Sequence, residues 1–420
     1  MRAGPRLPGR SGSFRFESGK QMNHRIRRTV LFAAFLAIAL PAMGARRVTV
    51  EQLRQLVAAQ QAASKSDGDT ASKLASLELT ERLSTSTLSG IKSELKPGPK
   101  TEQALDLLAD YSSFLQAPNS ELPARAKPDM AAQRAMINGA MTYIAGTLRH
   151  LPDFLATRVT RSFDDSPLVV GHSGYAPGAD LHEVGNFNRV ITYRNGREVP
   201  DSEAAAAGTK QKPAAGPAGL SSWGEFGPVL AVVLTDMIKG KVTWSRWEEA
   251  STGEVAVYHF AVSKDVSHFV VDYCCAWKSL NDVRVWGTQE DLRVVKPQED
   301  KPASYHGTPA YHGDLSIDPA TGAILRVTVE AELARSDLIS RAAITVQYDK
   351  VDIGGQSYLC PVRSIAISVD KSRPGDSAGD STLTRVNEVS FTDYHRFGTQ
   401  MRMLPDTADK PAPSAESGKP

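Results

Sequence analysis

Two histidines six residues apart are the first side chains in this sequence that could hold a metal ion. His306 and His312 belong to a near-repeat, YHG at 305–307 and YHG at 311–313, and Asp314 follows directly. Imidazole nitrogens and carboxylates are common zinc ligands. The spacing matches no established zinc motif, so the alternative is a loop whose tyrosines pack and whose histidines face solvent.

Three cysteines offer a second kind of chemistry. Cys274 and Cys275 are adjacent in a predicted strand, so they lie on opposite faces and only one of them can share a layer with Cys360. In an exported chain, a disulfide from Cys360 to Cys274 or Cys275 is one prediction. Buried free thiols are the alternative, and a vicinal bridge or a metal site is a third interpretation.

All five tryptophans lie in the C-terminal two thirds of the chain, where strands are predicted. Trp244, Trp247 and Trp277 are therefore candidates to line an apolar ligand cleft on a sheet. Ordinary core packing is the alternative, because large aromatic side chains dominate protein cores.

Known catalytic signatures are missing from the sequence. His182-Glu183 is not followed by the second histidine of a zinc protease, and no glycine-rich phosphate loop is present. We predict no catalytic residue and no cofactor, and the sequence favours a protein that is not an enzyme. A hydrolase or metal-dependent enzyme using His306 and His312 stays an alternative, because catalytic triads are defined by geometry rather than by sequence order.

The N terminus is typical of an export signal. Arginines after Met22 precede an unbroken apolar run that ends at Leu40, and small residues follow it. We predict a signal region over 1–45, with translation starting at Met22, cleavage near 44–45, and a periplasmic or secreted bacterial protein. The run is shorter than the about 20 residues that span a bilayer, and no later segment is longer, so we expect no transmembrane segment after cleavage. A retained N-terminal anchor is the alternative.

The charge distribution argues against nucleic-acid binding. Residues 1–45 hold eight of the 49 basic residues and one of the 47 acidic residues, so the remainder has a slight acidic excess. A protein that neutralises phosphates normally has a basic excess.

The element pattern predicts an α+β fold with four regions. Helical periodicity fills 46–160, with a capping box at Thr49 and Gln52 and a long helix opened by Asp129. Alternating strands fill 161–404 and are joined by short turns, so we expect one large curved antiparallel sheet, an incomplete barrel, with an apolar helix at 228–239 packed against it.

Two further segments have the composition of irregular chain. The insert 201–219 contains alanine, glycine and proline but no large apolar residue, so it is predicted to be flexible. The tail 405–420 is rich in proline and charge and is predicted to be disordered.

Four phrases are similar to a group of exported bacterial proteins of uncharacterised function: YRNGREV at 193–199, IDPATG at 317–322, CPVRS at 360–364 and FTDYH at 391–395. The strand half also resembles the periplasmic lipoprotein carrier and lipoprotein-sorting (LolA-like) family. That resemblance implies an incomplete antiparallel barrel with helices over an apolar concave face that receives acyl chains, and it implies no catalytic residue.

Together these observations predict a non-catalytic envelope protein that binds a lipid, another apolar ligand or a partner protein on its sheet. A structural or interaction module is a further alternative.

Overall fold

The computed structural model describes most of the chain after the predicted signal region. The described residues are 46–166, 181–199, 218–220, 228–250, 252–276, 303–371 and 382–396. The predicted signal region 1–45, most of the insert 201–219, Trp277 and the tail 405–420 lie outside these ranges.

Four helices form a layer at the N-terminal end of the described chain, which we call the helical layer. Thr49 caps the first of them in the predicted capping box with Gln52, and Ser66 and Ser84 cap the second and third through their side chains. The caps supply acceptors to backbone N–H groups that have no partner within a helix. The helices are α1 (Val50–Ala62), α2 (Asp67–Ala75), α3 (Thr85–Leu95) and α4 (Pro99–Tyr111), and short strands β1 (Arg46–Val48) and β2 (Leu77–Leu79) pair in parallel beside them.

Two more helices follow. Asp129 caps α5 (Met130–His150), as predicted, and the apolar helix α6 (Pro228–Met237) begins at its proline. The buried Asp236 carboxylate fixes the end of α6, because it accepts hydrogen bonds from the Tyr311 hydroxyl at 2.9 Å and the His268 backbone N–H at 2.8 Å.

Antiparallel pairing dominates the rest of the chain. The strands are β3 (Phe154–Asp164), β4 (His182–Arg194), β5 (Arg197–Glu198), β6 (Gly219–Leu220), β7 (Lys241–Ala250), β8 (Gly253–Val262), β9 (Val271–Ala276), β10 (Ala303–Gly307), β11 (Ala310–Ile317), β12 (Ile324–Glu332), β13 (Ile339–Asp352), β14 (Ser357–Asp370) and β15 (Leu383–Arg396). Asn195 and Gly196 both have positive φ between β4 and β5, as the predicted Asn-Gly hairpin requires.

Ten strands form one open sheet in the order β5-β4-β3-β15-β14-β13-β12-β11-β8-β7, and every neighbouring pair is antiparallel. A small second sheet has the order β10-β9-β6. The α+β class and the large antiparallel sheet that does not close are therefore confirmed.

The large sheet is covered on both faces. Ala366 belongs to the main core with α5, α6 and the small sheet. Its neighbours Ile365 and Ile367 pack instead with Leu107 and Tyr111 of the helical layer. Because successive strand residues point to opposite faces, the helical layer and α5 lie on opposite sides of the sheet.

Two elements of the structure have boundaries that differ from those predicted from the sequence. The first long strand begins at Phe154, so residues 154–160 of the predicted helical region are strand. Residues 383–396 form one strand, where the alternating pattern predicts two strands, at 382–391 and 394–403. A register shift between Thr392 and His395, together with positive φ at Asp393, lets β15 continue through the polar segment.

Within the described ranges, no helix combines the length and apolar character needed to span a membrane.

Candidate ligand-binding cleft

A cleft lies between the helical layer and one end of the sheet. It has a volume of about 560 Å³, within the usual range for small-molecule sites. Helices α2 and α4 form one wall, and β3 and the start of β4 form the other. The apolar side chains that line it are Ala71, Ala75, Leu77, Ala104, Leu107, Leu108, Phe163 and Leu181.

The wall formed by α2 and α4 is held together by Asp67. Its carboxylate accepts hydrogen bonds from the backbone N–H groups of Lys100 and Thr101, at 2.9 and 3.0 Å, and from the Thr101 hydroxyl at 2.6 Å. The Thr101 hydroxyl is the main reason that the pKa of Asp67 is below its ordinary value. A carboxylate at the first turn of α4 also complements the helix dipole, so this contact sets how the two helices meet.

Tyr111 places a hydroxyl group in the cleft lining. Burial raises the pKa of Tyr111, and the acidic side chains of Glu78 and Asp165 raise it further, while Arg341 opposes them. The phenol is therefore neutral at physiological pH, and it can donate one hydrogen bond and accept others.

Most charged groups of the cleft already have partners. Arg161 lies 3.0 Å from Glu183, and the Gln103 amide donates to the same carboxylate at 3.3 Å. Glu78 faces Arg47 at 3.7 Å. Lys100 differs, because its ammonium group forms no ion pair within 4.0 Å among the described side chains, although its charge contributes to lowering the pKa of Asp67.

A chain of ion pairs runs from the cleft into the buried contact between the large sheet and the helical layer. Arg161 also approaches Glu388 at 3.4 Å, and Glu388 lies 2.9 Å from Arg363. Arg363 in turn forms an ion pair with Asp110 of α4, whose side chain is only 1 % exposed. The chain therefore joins four strands to the helical layer directly behind the cleft.

The structure does not bring the two predicted metal ligands together. His306 lies on β10 of the small sheet and forms an ion pair with Asp272 on β9. His312 lies on β11 of the large sheet, and its Nδ1 is 3.5 Å from Glu332 Oε1. No group of three or more histidine, cysteine, aspartate or glutamate side chains that could hold a metal occurs in the described part of the chain.

Cys360 is a buried free thiol, so the predicted disulfide to Cys274 or Cys275 is not seen. It lies among the side chains of Phe154 and Tyr193 and their neighbours. Burial raises the pKa of the Cys360 thiol to about 12, which makes the thiolate scarce and the group unreactive at neutral pH.

Two of the three candidate cleft tryptophans do meet, but Trp247 is buried in the main core and Trp244 is partly buried against it. The ring centroids of Trp244 and Trp247 are 4.9 Å apart. Trp247 donates to the Ala126 carbonyl at 3.0 Å, and the Arg125 guanidinium stacks 4.0 Å above its ring. These contacts place the pair with α5, on the opposite face of the sheet from the cleft.

The cleft residues were not singled out by the sequence patterns. One signal was present: Leu107 and Tyr111 are four residues apart on α4, next to the stripe formed by Leu105 and Leu108. Two neighbouring stripes on one helix indicate burial on more than one side. The sequence could not show that β3 and β4 complete the second side.

No family model, curated protein or solved structure matches this chain. The fold and the cleft therefore define it only as an α+β protein with an open antiparallel sheet and a ligand-sized cleft.

Proposed function

We propose that this protein is a non-catalytic, exported envelope protein that binds a single-chain aliphatic carboxylate in the cleft between the helical layer and the sheet. The observation that supports it is the 560 Å³ cleft with an apolar floor and a lysine that has no ion-pair partner in the described structure. The export signal predicted from the sequence supports the location.

The apolar part of the ligand would lie against Leu107, Phe163 and Leu181. These side chains come from α4, β3 and the residue before β4, so the ligand would touch both walls. Each methylene group removed from water contributes about 0.8 kcal/mol, less the cost of immobilising the chain. An aliphatic tail therefore supplies most of the affinity.

The charged side chains of the cleft indicate which head group the ligand carries. The acidic side chains of the cleft have partners of their own, such as Arg161 for Glu183 and Arg47 for Glu78. Lys100 is the lysine of the cleft lining and forms no ion pair among the described side chains, and the neutral Tyr111 phenol can donate a hydrogen bond. A carboxylate fits this combination better than an amine does.

Calorimetric titration of the full mature chain with dodecanoate and with dodecylamine tests the proposal. We expect saturable one-to-one binding of dodecanoate and much weaker binding of the amine. Ala104→Phe should reduce dodecanoate affinity more than tenfold by filling the cleft. Lys100→Gln should reduce it by up to about fivefold, the range measured for exposed ion pairs.

Lys73→Gln is the matched control, because Lys73 lies on α2 but does not line the cleft. Circular dichroism of each variant separates lost binding from lost structure. Equal binding by wild type and a folded Ala104→Phe variant would place the ligand elsewhere, and preference for the amine would overturn the head-group assignment.

A further inference from the structure

Two histidines that are distant in sequence lie side by side on the large sheet. His259 is on β8 and His312 is on the neighbouring strand β11, where His312 pairs with Ala261 and Asp314 pairs with His259. This register makes the histidines diagonal neighbours on one face. Their ring centroids are 5.9 Å apart.

A carboxylate orients the His259 imidazole, and a second carboxylate lies near His312. His259 Nδ1 lies 2.9 Å from Asp314 Oδ1, and His312 Nδ1 lies 3.5 Å from Glu332 Oε1. The hydrogen bond to Asp314 holds the His259 proton on Nδ1 and leaves the Nε2 lone pair available, which is the usual arrangement of a metal-binding histidine.

The Asp314 carboxylate is itself held in place. Arg246 lies 3.1 Å from its second oxygen, and the Asp314 backbone N–H donates to the Thr328 hydroxyl at 2.8 Å. The His259 ring is therefore supported by a fixed side chain on a rigid strand, as a preformed site requires.

We propose that His259 and His312 form a binding site for a divalent transition-metal ion such as Zn²⁺ or Cu²⁺, with water completing the coordination. A metal bound at about 2.0–2.1 Å from each ring nitrogen would lie about 3.2 Å from each ring centroid. Centroids 5.9 Å apart can share such an ion with only small side-chain rotations.

The surroundings agree with a surface site that an ion can enter. The side chains of His259 and His312 are 46 % and 40 % exposed, while Asp314 is 23 % exposed. Two imidazole ligands favour late first-row divalent ions over Mg²⁺ or Ca²⁺, which prefer oxygen ligands. We expect binding in the micromolar range, with Cu²⁺ tighter than Zn²⁺.

Titration of the chelator-treated full chain with zinc chloride, followed by calorimetry and native mass spectrometry, tests the site. Wild type should bind one Zn²⁺ that His259→Gln and His312→Gln each weaken at least tenfold. His306→Gln is the control, because His306 is an exposed histidine paired with Asp272 in the small sheet. Magnesium chloride should give no binding signal at this site.

Native mass spectrometry also reports whether each variant keeps the folded charge-state distribution. The same affinity in wild type and the folded double variant His259→Gln/His312→Gln would overturn the proposal. Loss of binding in His306→Gln, with binding retained in the double variant, would move the ion to the small sheet. Neither result depends on the ligand cleft, which lies at the other end of the sheet.

Discussion

Replacing Arg363 by glutamine should expose how strongly the helical layer depends on one buried ion pair. Arg363 of β14 pairs with Asp110 of α4, and the second Asp110 oxygen is buried without a hydrogen-bond partner. Burial raises the pKa of Asp110 well above its ordinary value, and Arg363 is the main group that opposes this shift.

Breaking a buried pair by removing one partner costs about 3–5 kcal/mol, because the other charge is left without compensation. Arg363 is 21 % exposed, and its other partner Glu388 keeps a contact with Arg161. The raised pKa also lets Asp110 take up a proton once Arg363 is removed, so we expect no more than the lower end, about 3 kcal/mol, for Arg363→Gln at neutral pH. Urea unfolding followed by circular dichroism measures this loss. Arg54→Gln is the control, since the Arg54–Glu94 pair is half exposed and should contribute about 1 kcal/mol or less.

The destabilisation caused by Arg363→Gln should depend on pH in a defined direction. With a folded-state pKa above the unfolded value, Asp110 favours the folded protein at low pH, and this contribution is lost as pH rises through the folded pKa. Arg363→Gln raises that pKa further, so its destabilisation should be smaller at about pH 5 than at about pH 8. Adding Asp110→Asn should recover part of the loss. A loss no larger than that of Arg54→Gln, or one independent of pH and unaffected by Asp110→Asn, would refute this reasoning.

Two further predictions concern the sheet. Gly313→Ala should destabilise the protein by about 2–3 kcal/mol, because a methyl group at Gly313 would overlap the Thr328 carbonyl. Gly90→Ala in α3 is the control: its methyl group meets no atom within 4 Å, so this change should be neutral or stabilising. Unfolding free energies that reverse this order would contradict the close approach of β11 and β12. Cys360 should resist alkylation in the native protein and should react fully after denaturation without reductant. Peptide mapping of the alkylated protein measures both. A Cys360 that stays unreactive after denaturation would instead indicate a disulfide.

Local signals account for most of the elements that were predicted correctly. The capping box at Thr49 and Gln52 and the hairpin at Asn195 and Gly196 each depend on a few consecutive residues, and both are present in the structure. The α+β class follows from the change in period, because helix and strand periods are read over short windows.

Pairing between strands that are far apart in the sequence accounts for the features that the sequence did not predict. The strand β3 pairs with β15, whose residues follow more than two hundred positions later, so no local pattern places Phe163 beside Val386. The same reason separates His312 from its predicted partner His306: the register of β8 and β11 brings His259 beside it instead. The cleft combines α2, α4, β3 and β4, and its existence depends on this tertiary packing.

The position of β3 has a consequence for biosynthesis. β3 is among the first long strands to leave the ribosome, yet one of its two neighbours is β15, the last strand of the described chain. Within the described strands, β5, β4 and β3 join the other seven strands of the large sheet only through this pair, so the sheet cannot be completed before β15 has been synthesised. Until β15 arrives, the edges of β3 and β14 are unpaired and open to other chains. We therefore expect the nascent protein to depend on a holding chaperone, and truncation before residue 383 to yield aggregates rather than a smaller folded protein.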